Sequence, residues 1–250
     1  MEIRDKLNTL EGYKTRIGEF EEYILQREKD IELLEENEKR GNQLYPLPNN
    51  QVIHNKIGGN LSDKFSIFLS KFSAGEDIIE LRKDLYPIIS LMEKFWGKRG
   101  YYHYVDMVWT LSIGIMLNIE DEEFLKLVKL AEMDNPNDIL LDFLIRSRGF
   151  SWKGKSEKFK SKRPYQAIQE IISLAQNDKS KSLERLKKYL TKEWYRGHSD
   201  AGWYDTHKHG IIHTGYWSFE SGAIVKILGL DDTALKGLPY YPYDMVHWNG

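Results

Sequence analysis

The sequence predicts an all-α protein of two packed helical subdomains built from helical hairpins. Two observations carry this. Long segments place their apolar residues three and four positions apart, the repeat of a half-buried helix. Proline and glycine clusters punctuate those segments at connection-like intervals, and no run has the pattern of a β-hairpin or a βαβ unit.

The first element is expected over residues 3–38. Ile3, Leu10, Ile17, Ile24 and Ile31 repeat every seven residues, with Tyr13, Phe20 and Leu34 three positions on in their heptads. Such a seam suits packing inside one domain or pairing of two chains, so the oligomeric expectation is a monomer or a homodimer. Residues 41–59, with Pro46, Pro48, Gly58 and Gly59, read as a loop. A second helix is expected over 61–72, with Leu61, Phe65, Phe68 and Phe72 on one face. A third spans about 76–96 with Pro87 inside it, where a proline kinks or splits a helix. Residues 101–118 are apolar on most sides and read as a central helix.

The acidic turn Glu120-Asp121-Glu122-Glu123 opens the next helix, where carboxylates complement the helix dipole. Pro136 is expected to start another, with Ile139, Leu140, Phe143 and Leu144 as its core face. Helices at 165–176 and 180–194 follow, the second lined by Leu183, Leu186, Leu190 and Trp194. The expected domains are residues 1–135 and 136–250. Near the end, Trp217, Ala223, Ile224, Ile227 and Leu228 form a helical stripe. Ser221, Gly222 and Ala223 allow close approach there, and Gly229 is placed as a C-cap. Glu220 lies in this apolar helix and, if buried, needs a donor such as a nearby Tyr or Trp.

Composition narrows the chemistry. The chain has 250 residues, a net charge of −2 and no cysteine, which removes disulfides, thiolate metal sites and cysteine nucleophiles. No run of about 18 apolar residues suggests a membrane span. The charged N-terminus lacks the apolar core of a signal peptide, and the expected location is the cytoplasm. Charge is uneven: residues 1–40 carry twelve acidic and eight basic side chains, and residues 151–192 carry four acidic and twelve basic. Such asymmetry steers charged partners.

Several groups invite an enzymatic reading. His198, His207, His209 and His213, interleaved with Asp200 and Asp205, have ligand chemistry for a metal-dependent hydrolase over residues 198–213. Against it, glycines make the segment a loop, no HExxH is present, and Lys208 sits among the would-be ligands, so no metal or cofactor is expected. Asp231 and Asp232 read as an N-cap, and Ser218 lacks the GxSxG elbow of a serine hydrolase. Lys153, Lys155, Lys158, Lys160, Lys162 and Arg163, with Trp152 and Phe159, have the composition of a nucleic-acid patch, but a solvated basic loop is the preferred reading.

The segment Gly215-Tyr216-Trp217-Ser218-Phe219-Glu220-Ser221-Gly222 through Asp231-Asp232, followed by Tyr240-Tyr241-Pro242-Tyr243-Asp244 to Trp248, resembles the C-terminal domain of the PoNi family. Lys71-Phe72-Ser73-Ala74-Gly75-Glu76, Leu81 to Trp96 and Tyr101 to Leu117 resemble its N-terminal domain, so the likeness covers roughly residues 60–250. These are immunity proteins that neutralise polymorphic-toxin nucleases of the PoNe type. The resemblance implies a binding protein with no catalytic site, whose partner is a cognate nuclease toxin domain rather than nucleic acid or membrane. Tyr216, Trp217, Glu220, Tyr241 and Asp244 match the family motif and read as structural. A nuclease surface that grips phosphates is basic, so its inhibitor should present carboxylates and aromatic anchors. The expected toxin-binding residues are Asp200, Trp203 and Asp205, and Glu120, Asp121, Glu122 and Glu123.

Overall fold

Helix α1 (Leu10–Lys39) starts where Thr9 accepts the amide of Gly12 with its side chain, about two turns later than the heptad pattern suggested. The computed structural model describes residues 2–96, 104–134 and 137–249. Among these the chain is all-α, without strands. Two compact units form: Met1–Trp96 with Asp205–Gly215, and Gly97–Tyr204 with Tyr216–Gly250. They interleave the chain and so divide it differently from the expected boundary after residue 135.

In the first unit α1 lies along α2 (Asn49–Ala74), and α2 along α3 (Ile78–Phe95). The heptad seam is buried in part, with Tyr13, Phe20, Ile24 and Leu34 inside, Phe20 and Ile24 meeting Ile67, and Leu10, Ile17 and Ile31 half-buried. Leu61, Phe65, Phe68 and Phe72 form the buried face of α2, as their spacing required.

Residues 49–59 are not loop. Gly58 and Gly59 lie inside α2, where a Cβ at 58 would collide with the Phe95 ring and one at 59 with the Arg27 side chain. These glycines therefore serve close side-chain approach rather than a turn. Asp77 caps α3 through the Ile79 amide, and Pro87 sits within that helix.

The second unit contains α4 (Tyr104–Met116), α5 (Asp121–Asp134), α6 (Ile139–Arg146), α7 (Gln166–Ala175), α8 (Lys179–Lys188), the short turn α9 (Tyr195–Gly197), α10 (Phe219–Leu228) and α11 (Tyr243–Val246). Every side chain of α4 but Val105 and Asp106 is buried, in keeping with its expected central place. Pro136 lies outside the described residues, and α6 is capped by Asp138 through the amide of Leu141. Beyond α8 the expected helix to Trp194 changes character: Tyr189–Trp194 is a π-helical turn. The wider turn brings Tyr189, Leu190 and Trp194 inside together.

Helix α10 packs on α4. A Cβ at Gly222 would meet Met116, Pro242 and Val246, so only glycine fits. Gly229 ends α10 at φ 58°, the left-handed C-cap expected from sequence.

Candidate functional site

Several polar groups of the C-terminal segment are held by internal partners. Glu220 is fully buried in the first turn of α10. Its Oε1 accepts the Tyr189 hydroxyl at 3.0 Å and the Ser218 hydroxyl at 2.6 Å, so a tyrosine supplies the expected donor. Among the described residues Oε2 makes no hydrogen bond of good geometry, while the Trp194 indole N–H helps to lower the carboxyl's pKa. Burial pushes the carboxyl above the ordinary glutamate range, and the Ser218 and Tyr189 hydrogen bonds pull against it. Burial likewise raises Tyr189, with the facing Glu220 adding to the effect.

Asp232 does not act as the N-cap suggested by its position before a turn. It is buried, and its two oxygens accept the Tyr241 hydroxyl at 2.6 Å and face His247 Nε2 at 2.8 Å. Asp231 performs the local role, accepting the amide and hydroxyl of Thr233. Lys226 Nζ donates to the carbonyls of Met116 and Trp248, at 2.6 and 3.0 Å. Tyr216, Trp217 and Tyr241 are buried beside this network, whereas Asp244 is exposed in α11.

The four histidines divide between the units: His198 belongs to the second, and His207, His209 and His213 to the first, where the His207 and His213 rings meet edge to face with centroids 6.1 Å apart. His198 belongs to the second unit, where Nδ1 lies 2.8 Å from the Trp194 carbonyl and Nε2 3.0 Å from the Tyr165 hydroxyl. Burial lowers its pKa from 6.5 to about 4, against the opposing Trp194 carbonyl, so the ring is neutral at pH 7. The neutral ring donates to Trp194 through Nδ1 and accepts from Tyr165 at Nε2. His213 belongs to the first unit and is fully buried, with Nε2 2.8 Å from Asp5 and Nδ1 3.2 Å from the Thr206 hydroxyl. His209 is exposed. Among the described residues no three His, Cys, Asp or Glu side chains form a group that could hold a metal ion.

The expected contact residues have mixed fates. Trp203 is half-buried and stacks on Trp194, with centroids 5.7 Å apart and planes 21° from parallel. It also lies against Trp109, His198 and Tyr216, so much of its surface is used within its own unit. Asp200 is exposed. Asp205, at φ 63°, ion-pairs with Lys208 at 2.7 Å. In the acidic turn Glu120 and Glu122 are exposed, while Asp121 pairs with Arg148 and Glu123 with Lys126.

The two aromatic residues of the basic loop differ in exposure, Trp152 being half-buried and Phe159 buried. Trp152 donates its indole N–H to Asp142 at 2.7 Å, and Phe159 is buried. Sequence reasoning missed what anchors this loop. Asp138, besides capping α6, accepts the amide of Lys160 at 2.7 Å and the hydroxyl of Tyr104 at 3.0 Å. An aspartate at a helix start signals a cap, but nothing local signals the two distant donors.

Two family models cover almost the whole chain. Residues 4–129 match "PoNe immunity protein (PoNi), N-terminal", and residues 136–245 match "PoNe immunity proteins (PoNi), C-terminal". The crystal structure of Protein PA2201 from Pseudomonas aeruginosa is similar in fold, with a TM-score of 0.70 at 18% identity over 98% of this chain and 89% of that one. No curated protein matches the chain.

Proposed function

Because the chain belongs to the PoNe immunity protein (PoNi) family, we propose that it binds the nuclease domain of a cognate toxin and blocks DNA cleavage by stoichiometric occlusion. The observation that carries this reading is the pair of family matches, in order, over residues 4–129 and 136–245. They also support taking residues 1–135 and 136–250 as the two halves of the family sequence.

The chemistry of the side chains agrees with binding rather than catalysis. Glu220, Asp232, His198 and His213 are each engaged by partners within their own unit, and each is buried. An inhibitor that works by occlusion needs surface complementarity rather than a reactive group. On this reading the chain acts in the cytoplasm, where the chromosome needs protection. Burial of Tyr13, Phe20, Ile24 and Leu34 of the α1 seam, in a helix that packs on α2, favours a monomer over a homodimer. Burial of Phe159 and the Trp152–Asp142 hydrogen bond weigh against a base-stacking role for this loop. The exposed carboxylates Glu120, Glu122 and Asp200 are proposed to steer the toxin, since complementary charge at a rim speeds encounter.

The test is co-expression with the nuclease domain of the cognate toxin, followed by mass determination of the purified complex and a plasmid-degradation assay. A stable complex that no longer cleaves DNA supports the reading. Failure to form a complex with the active cognate nuclease, and failure to protect cells from it, overturns it.

A further inference from the structure

The connection between α1 and α2 is an exposed apolar tip. Leu44, Tyr45 and Leu47 expose 43%, 46% and 47% of their surface on the connection of residues 40–48, which includes two prolines. A soluble protein seldom groups large apolar side chains in this way without a partner.

The tip is held in shape. Asn49, only 2% exposed, donates its carboxamide to the Asn42 carbonyl at 2.7 Å and accepts the Leu44 amide at 3.2 Å. Gln43 donates to the Tyr45 carbonyl at 2.8 Å, and the Asn42 amide donates to the Asn37 carbonyl at 2.9 Å. A buried side chain is thus spent on fixing an exposed apolar loop. Pre-ordering lowers the entropy lost when a partner covers such a loop.

The helix that leads into the tip is acidic. Six carboxylates and three cations lie between Glu28 and Arg40. Glu28, Glu32 and Glu35, spaced four and three apart, share one exposed face of α1. An acidic face is repelled by anionic lipid, and two copies meeting through it would set like charges against each other. A basic protein surface is the complement.

Resting on the immunity reading above, we propose that the α1–α2 tip is the anchor for the basic, phosphate-gripping face of the toxin's nuclease domain. Tyr45, Leu44 and Leu47 supply the buried contacts, and Glu28, Glu32 and Glu35 occupy the place of DNA phosphates. Asn49 is a positioning residue that holds the loop. Aromatic anchors fixed before binding are the residues expected to control dissociation.

The experiment measures association and dissociation rates of the full-length chain with a catalytically inactive form of the cognate nuclease domain. Tyr45→Ala should weaken binding by about thirty-fold or more, chiefly through faster dissociation, as truncation of an interface hot spot does. The triple change Glu28→Lys, Glu32→Lys, Glu35→Lys should slow association and reduce its salt dependence. The melting temperature should hold in both, because the substituted side chains are exposed. If the wild-type chain binds and neutralises the nuclease while both variants do so equally well, the anchor assignment is wrong and the immunity reading stands. If the wild-type chain neither binds nor protects, both fall. Self-association of the wild-type chain that Tyr45→Ala abolishes would identify a second copy as the occupant and overturn the proposal.

Discussion

His213 Nε2 lies 2.8 Å from the Oδ2 of Asp5, a residue 208 positions earlier, and both side chains are buried. The pair fastens residues 205–215 to the N-terminal segment of the first unit. Neighbouring bonds reinforce it. Asn8 donates to the carbonyls of His213 and Ile211, and Ser73 donates to that of Thr214. Replacing either member takes one hydrogen-bond partner from the other's buried side chain. Asp5→Ala or His213→Ala should cost about 1–3 kcal/mol. Hydrogen exchange checks the assignment, since amides of residues 205–215 should lose protection in either variant.

The core of the C-terminal motif should respond to truncation. Trp217, 6% exposed beside α10, should lose about 3–5 kcal/mol on change to Ala, as large core truncations do. An unchanged melting temperature would remove it from the core. Tyr189→Phe keeps the ring but takes one of the two donors from Glu220, at about 1–2 kcal/mol.

Glu220 makes stability depend on pH in a defined direction. Its folded pKa is raised by burial above the ordinary 4.5. The folded state therefore holds the proton more tightly, and this contribution is complete below about 4.5 and lost as pH rises through the folded value. Glu220→Gln should flatten that decline with little change in shape. Denaturant titrations of both proteins across this range compare the slopes directly.

His198 acts in the opposite direction. Its pKa falls from 6.5 to about 4, so the unfolded chain takes up the proton first. Stability from the neutral ring is present above about 6.5 and drains away as pH falls toward 4, to a total of about 3 kcal/mol. His198→Gln should lack this acid-side loss. The wild-type histidine ring should titrate near pH 4 by NMR.

The exposed carboxylates of the second unit should act on rate. Glu120→Ala, Glu122→Ala and Asp200→Ala together should slow toxin association a few-fold and leave dissociation nearly unchanged, as rim charges do. Stopped-flow kinetics at low and high salt separate the two. Equal association rates in the wild type and the triple variant at low salt would end the steering role.

Much of the helical layout was legible because it rests on local repeats. The Leu61, Phe65, Phe68 and Phe72 face is buried as the spacing required, and Gly229 takes the positive φ expected after α10. The family was legible in the segments around Tyr216–Glu220 and Tyr240–Asp244, and both family matches bear it out. Gly58 and Gly59 misled because a glycine required for close approach has the same letter as one required for a turn. The Asp231–Asp232 pair misled in part, since adjacent aspartates look alike until one of them meets Tyr241 and His247.

By itself the sequence determined the all-α class, the apolar faces of its helices and its family, because periodicity and motif are properties of neighbours in the chain. Only tertiary structure decided which polar groups meet. It assigned His198 to Tyr165 and Trp194, and His213 to Asp5. It joined residues 205–215 to the first unit, and it turned Trp203 toward Trp194. Those pairings join residues up to 208 positions apart. Their selection depends on which buried donors and acceptors find one another once the helices pack, and no local pattern encodes that choice.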